Sequence, residues 1–394
     1  MKDNKFIKSR AGLRWLPASE SMASTAILLS LISAIFTVCV IWSRQTLPVT
    51  EKSIREEVEP HQYTAAERPP AVVEWDKKRT EWLNRHPSFA APGARNRVLV
   101  LTGSQPDPCK GPAGDHLLLR LFKNKVDYCR IHGYDVFYGN AFMNPKMGSV
   151  WAKVPLLRAA MLAHPETEWV LWMDSDAVFT DMDFKIPLDK YRDHNLVVHG
   201  WPYMIKHRSW LGVNTGIVLM RNCQWSMDFV DLWARMGPQS PDTRLVRRVM
   251  SRVKDVVNPR RLDEQSALLY LLLTLDAKWT AKIYVENEYY LHGYWGEVLG
   301  MLVEGSGGDA AGRTTPFVTH FTGCQPCSGE HNPKYAGDSC WAGMERALNF
   351  AFPLIFLQTR LPSFNFFVST NFTLPPPSHF SNCWIHLSNS CSGG

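Results

Sequence analysis

Two carboxylates follow directly on an apolar run near the middle of the chain. Residues 169–173 are all apolar, and Asp174, Ser175 and Asp176 come immediately after them. Such a run is typical of a buried strand in a parallel sheet, and ligands of open α/β sheets bind just beyond the carboxyl ends of the strands. Two carboxylates at this spacing can hold one Mn²⁺ or Mg²⁺ ion whose remaining positions go to phosphate oxygens. The predicted chemistry is metal-assisted departure of a diphosphate, the leaving group of a nucleotide sugar.

The spacing of this acidic pair is not specific by itself. In a chain of average composition and this length, about one Asp-x-Asp arises by chance. The chain indeed contains a second pair at Asp181 and Asp183. The preceding apolar strand favours Asp174 and Asp176 as the functional pair.

A second candidate site lies at the end of the predicted strand 97–101. Thr102, Gly103 and Ser104 follow that strand, and small polar residues at this point commonly hold a nucleotide base or ribose. No Gly-x-Gly-x-x-Gly follows, which argues against a nicotinamide or flavin dinucleotide.

Two further residues are candidates for contacts with the nucleotide. Lys153 lies in a predicted helix at 150–162 and could reach a phosphate, although a solvated lysine is the alternative. Asn214 lies between Gly212 and Gly216. Glycines in such a strand indicate either backbone held close to a ligand or a bulge.

An acidic triplet opens another predicted helix. Asp263, Glu264 and Gln265 precede the apolar stretch 268–275. Acidic residues in a first turn can simply cap the helix and complement its dipole. A carboxyl-rich helix start can also bind sugar hydroxyls, and the residues alone leave both interpretations open.

The last candidate is a histidine near the carboxyl end of the chain. His320 ends a predicted strand at 317–320, but the chain has 13 histidines, so residue type alone does not identify a metal ligand. An aromatic loop at 289–295 suits a saccharide acceptor.

These residues require an ordered alternation of strands and helices to bring them together. Strand and helix patterns alternate at 97–101, 115–131, 135–138, 150–162 and 169–173. This order predicts an α/β domain with a mainly parallel central sheet.

The amino-terminal region predicts a membrane anchor. An uncharged apolar stretch at 22–43 follows a basic flank, long enough to span a bilayer with the amino terminus in the cytoplasm. A cleaved signal peptide is the alternative, but no small-residue cleavage site follows. The expected organisation is a cytoplasmic tail, a signal anchor, a stem, a lumenal domain and an atypical, disordered tail, at 1–21, 22–43, 44–95, 96–350 and 351–394.

Charge and cysteine content constrain the partners and the compartment. The net charge of +6 comes from scattered basic residues, which argues against nucleic-acid binding. Cys324, Cys327 and Cys340 lie close together in sequence, and disulfides or free thiols are favoured over zinc. Asn371 begins a glycosylation sequon, which is usable only in a lumenal domain.

A series of motifs resembles one family. In order along the chain they are Trp172-Met-Asp-Ser-Asp-Ala-Val-Phe-Thr-Asp-Met, His199-Gly-Trp, Asn214-Thr-Gly, Asn222-Cys-Gln-Trp-Ser, Asp263-Glu-Gln-Ser-Ala, Tyr290-Leu-His-Gly-Tyr-Trp-Gly and Thr319-His-Phe-Thr-Gly-Cys-Gln-Pro-Cys. Residues 97–350 are thereby similar to the plant Golgi galactomannan galactosyltransferases and xyloglucan xylosyltransferases.

The resemblance implies a GT-A-type, metal-dependent, retaining α-glycosyltransferase that uses a UDP-sugar. It implies a single-pass type II protein of the Golgi membrane that acts on a cell-wall hemicellulose. By position, Asp174, Asp176 and His320 match the metal ligands, and Gly323 matches a turn beside the diphosphate. The triplet around the donor sugar is matched by Asp263, Glu264 and Gln265.

One departure from the motifs favours galactose over xylose. In the xyloglucan enzymes the position of Gln325 is typically a lysine that reaches toward the diphosphate. The glutamine here favours the galactomannan branch, with UDP-galactose as donor and O6 of mannose in a β-1,4-mannan or glucomannan as acceptor. A xyloglucan α-1,6-xylosyltransferase using UDP-xylose is the alternative.

Other classes of function remain open. An inactive polysaccharide-binding scaffold would need no metal, and a glycoside hydrolase would need two carboxyls facing each other across the scissile bond. The 351–394 tail does not resemble the polar ending of the family, which bears on whether the chain is active. Homo- or hetero-oligomers are compatible with the sequence.

Overall fold

The computed structural model describes residues 71–89, 97–105, 107–139, 149–237, 243–256, 262–303, 315–351 and 366–369. The strands are β1 Val98–Gly103, β2 Asp135–Gly139, β3 Trp169–Met173, β4 Ala177–Phe179, β5 Leu196–Gly200, β6 Val213–Arg221, β7 Ile283–Glu286, β8 Gly293–Tyr294, β9 Val318–His320 and β10 Phe366–Ser369. The helices are α1 Trp75–Arg85, α2 Pro112–His132, α3 Lys153–Ala163, α4 Pro202–Lys206, α5 Gln224–Ala234, α6 Thr243–Arg252, α7 Glu264–Thr274, α8 Ala277–Thr280, α9 Trp295–Val298 and α10 Ser339–Ala351.

The central sheet is mixed. Its strands run in the order β10-β2-β1-β3-β6-β5-β7. Every neighbouring pair is parallel except those of β6, which is antiparallel to both β3 and β5. The chain returns from β5 to β6 beside it, and such a direct return pairs strands antiparallel. The α/β class is confirmed, and the mainly parallel sheet carries one reversed strand.

A second, three-stranded sheet brings distant parts of the chain together. Its order is β4-β9-β8, with β9 antiparallel to β4 and parallel to β8. Ala177, just after the acidic pair, lies opposite His320 in this register. Pairing of β4 with β9 therefore carries the histidine to the carboxyl end of β3.

Helix α1 belongs to the predicted stem and packs on the domain. The Trp75 indole is buried and donates from Nε1 to Asn222 Oδ1 over 2.7 Å. Arg79 donates to Glu168 Oε2 over 3.2 Å, just before β3. The domain boundaries proposed from sequence stay predictions, but this helix is part of the packed structure.

Two predicted regions lie largely or wholly outside the described residues. Among the residues the structure describes, none of the helices has both the length and the apolar character to cross a bilayer. The predicted span at 22–43 lies outside them. Within the predicted tail, Ala351 ends α10 and Phe366–Ser369 forms strand β10 beside β2, and the other residues of that tail lie outside the described ones.

Candidate metal centre and active site

Three predicted ligands converge at the carboxyl end of β3. His320 Nε2 lies 3.3 Å from Asp176 Oδ1 and 3.7 Å from Asp174 Oδ2. One ligand atom from each residue lies within 4.8 Å of the others. The His320 side chain is 3% exposed, against 28% and 17% for the two carboxylates, so the group faces solvent on its acidic side. Carboxylate and imidazole groups are both ligands of divalent metal ions, so this donor set suits a divalent metal.

The backbone holds both carboxylates in place. The Asp174 amide donates to the Gly216 carbonyl on β6 over 2.8 Å, and the Phe321 amide donates to the Asp176 carbonyl over 3.1 Å. The Trp172 indole donates to Asp174 Oδ1 over 2.6 Å. The acidic pair is therefore tied to strands on both sides.

Gly216 lies against His320, which leaves no room for a side chain at this position. A Cβ atom at this position would lie 2.0 Å from His320 Cε1 and 2.6 Å from His320 Nδ1. The side chain of Asn214 folds back on the same turn, where its Oδ1 accepts from the Gly216 amide over 2.8 Å. The register of β5 with β6 shifts between Val198, opposite Val218, and His199, opposite Asn214, so the bulge expected from the sequence is present at Gly216. The close approach at Gly216 is to the imidazole of His320, and contact with a ligand stays a prediction.

Lys153 is buried and contacts Asp174, one of the three predicted metal ligands. Its ammonium lies 3.2 Å from Asp174 Oδ1 and 2.8 Å from Glu264 Oε1, and it donates to the Thr215 carbonyl over 2.9 Å. Burial alone would lower the pKa of Lys153, but the two carboxylates raise it above its ordinary value. Lys153 thus stays charged and links Asp174 to the triplet. All three of these partners are protein groups, so a contact with phosphate stays a prediction.

The triplet lies at the helix start that the sequence predicts, and it caps that helix, while binding of sugar hydroxyls stays a prediction. Asp263 is the N-cap of α7, accepting from the Ser266 amide over 2.6 Å, and it also accepts from the Trp210 indole. Gln265 donates to the Trp210 carbonyl over 3.0 Å. Burial raises the pKa of Glu264, an effect that neighbouring Lys153 opposes.

The sequence interpretation missed a second buried lysine. Lys125 on α2 donates to the carbonyl oxygens of Ser175 and Ala177 over 3.3 and 2.7 Å, directly behind the acidic pair. Burial lowers the pKa of Lys125 to about 7, although Asp176 and Asp174 act in the opposite direction. A usable signal exists, because Leu117, Leu121 and Lys125 recur every four residues and place the lysine on the buried helix face.

The predicted nucleotide-binding turn lies on the neighbouring strand β1. Thr102 is fully buried, and its Oγ1 has no hydrogen-bond partner among the described residues. A Cβ atom at Gly103 would lie 2.2 Å from the Gly139 carbonyl oxygen, and the Ser104 amide donates to that oxygen over 3.2 Å. The glycine is thus explained by contact with β2, while nucleotide binding stays a prediction.

Two disulfides constrain the predicted diphosphate turn. Cys109 is bonded to Cys327, and Cys324 is bonded to Cys340, so the disulfide interpretation is correct. Gly323 has φ +82°, a left-handed conformation that favours glycine. Gln325 lies between the two bonded cysteines, exposed, and its Oε1 accepts from Ser328 Oγ over 3.0 Å.

The aromatic loop at 289–295 contributes mainly to the core. Leu291 and Trp295 are buried, and the Trp295 ring stacks on Phe321 at 5.8 Å. The Tyr289 ring contacts Phe184 at 4.7 Å. These rings are therefore poorly placed to stack on a saccharide.

The chain is similar to a family of known proteins. The galactosyl transferase GMA12/MNN10 family model matches residues 94–331. The chain is 52% identical over 311 residues to galactomannan galactosyltransferase 1 of Cyamopsis tetragonoloba, covering 70% of this chain and 71% of that protein. It is 50% identical over 319 residues to glycosyltransferase 6 of Arabidopsis thaliana, covering 71% and 73%. A crystal structure of a glycosyltransferase involved in glycosylation of the major capsid of PBCV-1 aligns with TM-score 0.40 at 12% identity, covering 64% of this chain and 98% of that one. The chain belongs to the galactosyl transferase GMA12/MNN10 family.

Proposed function

We propose that this protein is a GT-A-type, metal-dependent, retaining α-galactosyltransferase that moves galactose from UDP-galactose to O6 of mannose in a β-1,4-mannan or glucomannan. The observation that carries the proposal is the convergence of Asp174, Asp176 and His320 at the carboxyl end of β3. Membership of a galactosyl transferase family and the name of the Cyamopsis relative support galactose as the transferred sugar.

The three ligands would hold Mn²⁺, which when bound supplies positive charge against the charge that develops on the departing diphosphate. Lys153 neutralises the inner side of this acidic group through Asp174 and Glu264. Lys125 donates to the carbonyl oxygens of Ser175 and Ala177 and so fixes the backbone around Asp176. The carboxylates are thereby preorganised, which is the main source of electrostatic stabilisation in such sites.

The reaction breaks the bond between galactose C1 and the β-phosphate oxygen and forms a bond from C1 to the mannose O6. Attack from the face of the leaving group lets a β-phosphate oxygen take the hydroxyl proton, so no strong protein base is required. A double displacement would need a carboxylate nucleophile. Glu264 is 4% exposed and paired with Lys153, which leaves the partly exposed Asp263 as the better candidate within the triplet.

The proposed location is the Golgi membrane, with the domain in the lumen behind a type II signal anchor. The two disulfides support an oxidising compartment, since such bonds are rare in the cytosol. The sequon at Asn371 lies outside the described residues, and its glycosylation is part of this proposal.

The decisive experiment measures donor turnover by the chain from residue 45 onward. It is incubated with Mn²⁺, an oligosaccharide acceptor of mannan or glucan type, and UDP-galactose or UDP-xylose. Galactose transfer to mannan that disappears with EDTA supports both the metal chemistry and the donor. Xylose transfer to the glucan acceptor overturns the galactose assignment, and UDP binding without any turnover favours the binding scaffold.

A matched pair of variants tests whether the predicted metal ligands are needed for turnover. Asp174→Asn removes one ligand and is expected to abolish turnover while the fold is retained. Asp183→Asn alters the exposed member of the second acidic pair and is expected to leave turnover unchanged. Full activity in Asp174→Asn would contradict the metal assignment.

A further inference from the structure

Exposed apolar side chains are concentrated on the segment between β5 and β6. Trp201, Tyr203 and Leu211 are 42%, 71% and 58% exposed, although each is large and apolar or aromatic. They lie on residues 201–211, here the 201–211 segment, which contains helix α4. Clustered exposed aromatics of this kind mark interaction sites rather than ordinary surface.

The 201–211 segment is held firmly despite its exposure. The Trp201 amide donates to the Gly212 carbonyl over 2.8 Å, which closes the segment at its base. A Cβ atom at Gly200 would lie 2.4 Å from that same carbonyl oxygen, so the base permits no side chain there. The Trp201 ring also packs edge-on against the buried His199 ring at 5.4 Å. An exposed ring on rigid backbone loses little conformational entropy when it binds a ligand.

This segment is continuous with the candidate active site. The Trp210 indole donates to both carboxylate oxygens of Asp263 over 3.2 and 3.3 Å, and Gln265 Nε2 donates to the Trp210 carbonyl over 3.0 Å. The segment that presents the exposed rings therefore also holds two residues of the triplet.

A chain of ring contacts provides a second connection. The His199 ring lies 5.5 Å from His292, and the His292 ring lies 4.9 Å from the metal-site residue His320. Trp201 is thus only three ring contacts from His320. Buried nitrogens at His199 Nδ1 and His292 Nε2 have no hydrogen-bond partner among the described residues.

We infer that the 201–211 segment binds the neutral polysaccharide acceptor, with the rings of Trp201 and Tyr203 stacked on sugar units flanking the one that reacts. This inference rests on the proposed function. An indole or phenol ring offers a flat apolar face that matches the apolar face of a pyranose, with a polar edge that tolerates water. In the aromatic loop at 289–295, the candidate from sequence, Trp295 is buried against Phe321 and the tyrosines are only partly exposed, so Trp201 and Tyr203 offer the more accessible rings.

Basic side chains border the 201–211 segment, and they suggest a different binding partner for it. Lys206, Arg208 and Lys254 are exposed, and a basic surface with aromatic residues also suits an anionic membrane. The contacts from Trp210 to the triplet favour the acceptor, because they place this segment beside the residues proposed to surround the donor sugar. Membrane binding is therefore an outcome for the experiment to exclude.

The test measures acceptor kinetics in Trp201→Ala and Tyr203→Ala at saturating UDP-galactose, with mannan oligosaccharides of increasing length. Loss of one stacked ring is expected to raise the acceptor KM about tenfold for long oligosaccharides, with a smaller change in kcat. Trp201→Phe and Tyr203→Phe keep a ring and are expected to restore most of the affinity. Leu119→Ala, at a 66% exposed site on α2, is the control and is expected to leave KM unchanged.

Three readouts separate the possible failures. UDP-galactose hydrolysis without acceptor reports on the donor site, mobility in a mannan-containing native gel reports on saccharide binding, and co-sedimentation with phosphatidylserine vesicles reports on membrane binding. An unchanged KM and gel mobility in both alanine variants overturns the inference, as does a loss confined to vesicle binding. Wild-type protein that is retarded by mannan through Trp201 yet transfers no galactose would refute the proposed function and leave the binding surface standing.

Discussion

Replacing Lys153 with methionine tests whether this lysine is a structural counter-ion or a ligand of the donor phosphates. Its side chain is 4% exposed, and its ammonium lies 2.8 Å from the carboxylate of Glu264, whose side chain is 6% exposed. Removing one partner of such a buried pair leaves an uncompensated charge and typically costs about 3–5 kcal/mol. Asp174 is 28% exposed, so solvent screens its loss and Glu264 dominates the penalty. We expect Lys153→Met to lower the free energy of unfolding by about 3–5 kcal/mol.

The assay is urea unfolding at pH 7, followed by the fluorescence of the 15 tryptophans, in EDTA so that metal affinity does not contribute. The double variant Lys153→Met with Glu264→Gln removes the orphaned charge and is expected to regain part of the lost stability. Lys278→Met breaks an exposed contact with Asp276 and should cost less than about 1 kcal/mol. A stable Lys153→Met variant with a strongly raised KM for UDP-galactose would refute this reasoning and establish the phosphate-binding role.

Two more variants test how the acidic pair is positioned. Gly216→Ala places a Cβ atom 2.0 Å from His320 Cε1 and should displace this ligand, so we expect the affinity for Mn²⁺ to fall at least about tenfold. Electron paramagnetic resonance of Mn²⁺ measures that affinity. Gly300→Ala is the control, because no heavy atom lies within 4 Å of its new Cβ. Equal affinities in both would contradict the close contact. Lys125 has a pKa of about 7 in the folded protein, below its value of about 10.4 in the unfolded chain. Between these two pH values the unfolded chain binds more protons than the folded protein. The contribution of Lys125 to the free energy of unfolding therefore rises with pH, by up to about 1.4 kcal/mol per pH unit. In EDTA, the difference in stability between wild type and Lys125→Met should therefore rise with pH over this range, and a difference that stays constant or falls would contradict the assignment.

Local pattern was enough for the elements that carry the site. The apolar run 169–173 forms β3, and the acidic pair follows it at the carboxyl end. A continuous apolar run of this length is the sequence pattern of a buried strand. The triplet begins α7, where Asp263 caps the helix. Helix α2 and strands β1 and β2 also lie where their patterns predict. In each case the signal is contained within a few neighbouring residues.

Pairing between distant segments was beyond local pattern. The sequence of β6 has the pattern of an apolar strand, which does not indicate the direction of the strand. Its antiparallel direction depends on which strands lie beside it. The sequence predicts a bulge or a ligand contact at Gly216, but it does not indicate that His320 lies against it. The pairing of Cys109 with Cys327 joins residues 218 positions apart, a choice that cysteine spacing does not encode.

The sequence by itself thus determined the α/β class, the acidic pair after β3, the helix-capping triplet and, through its ordered motifs, the family. Only the tertiary structure decided what those residues contact. It buried Lys153 between two carboxylates, placed Lys125 behind the acidic pair, turned Trp295 into the core and left Trp201 and Tyr203 exposed. The physical reason is that strand and helix patterns arise from neighbours along the chain. Burial, ion pairing and close approach arise from long-range packing, which no short stretch of sequence contains.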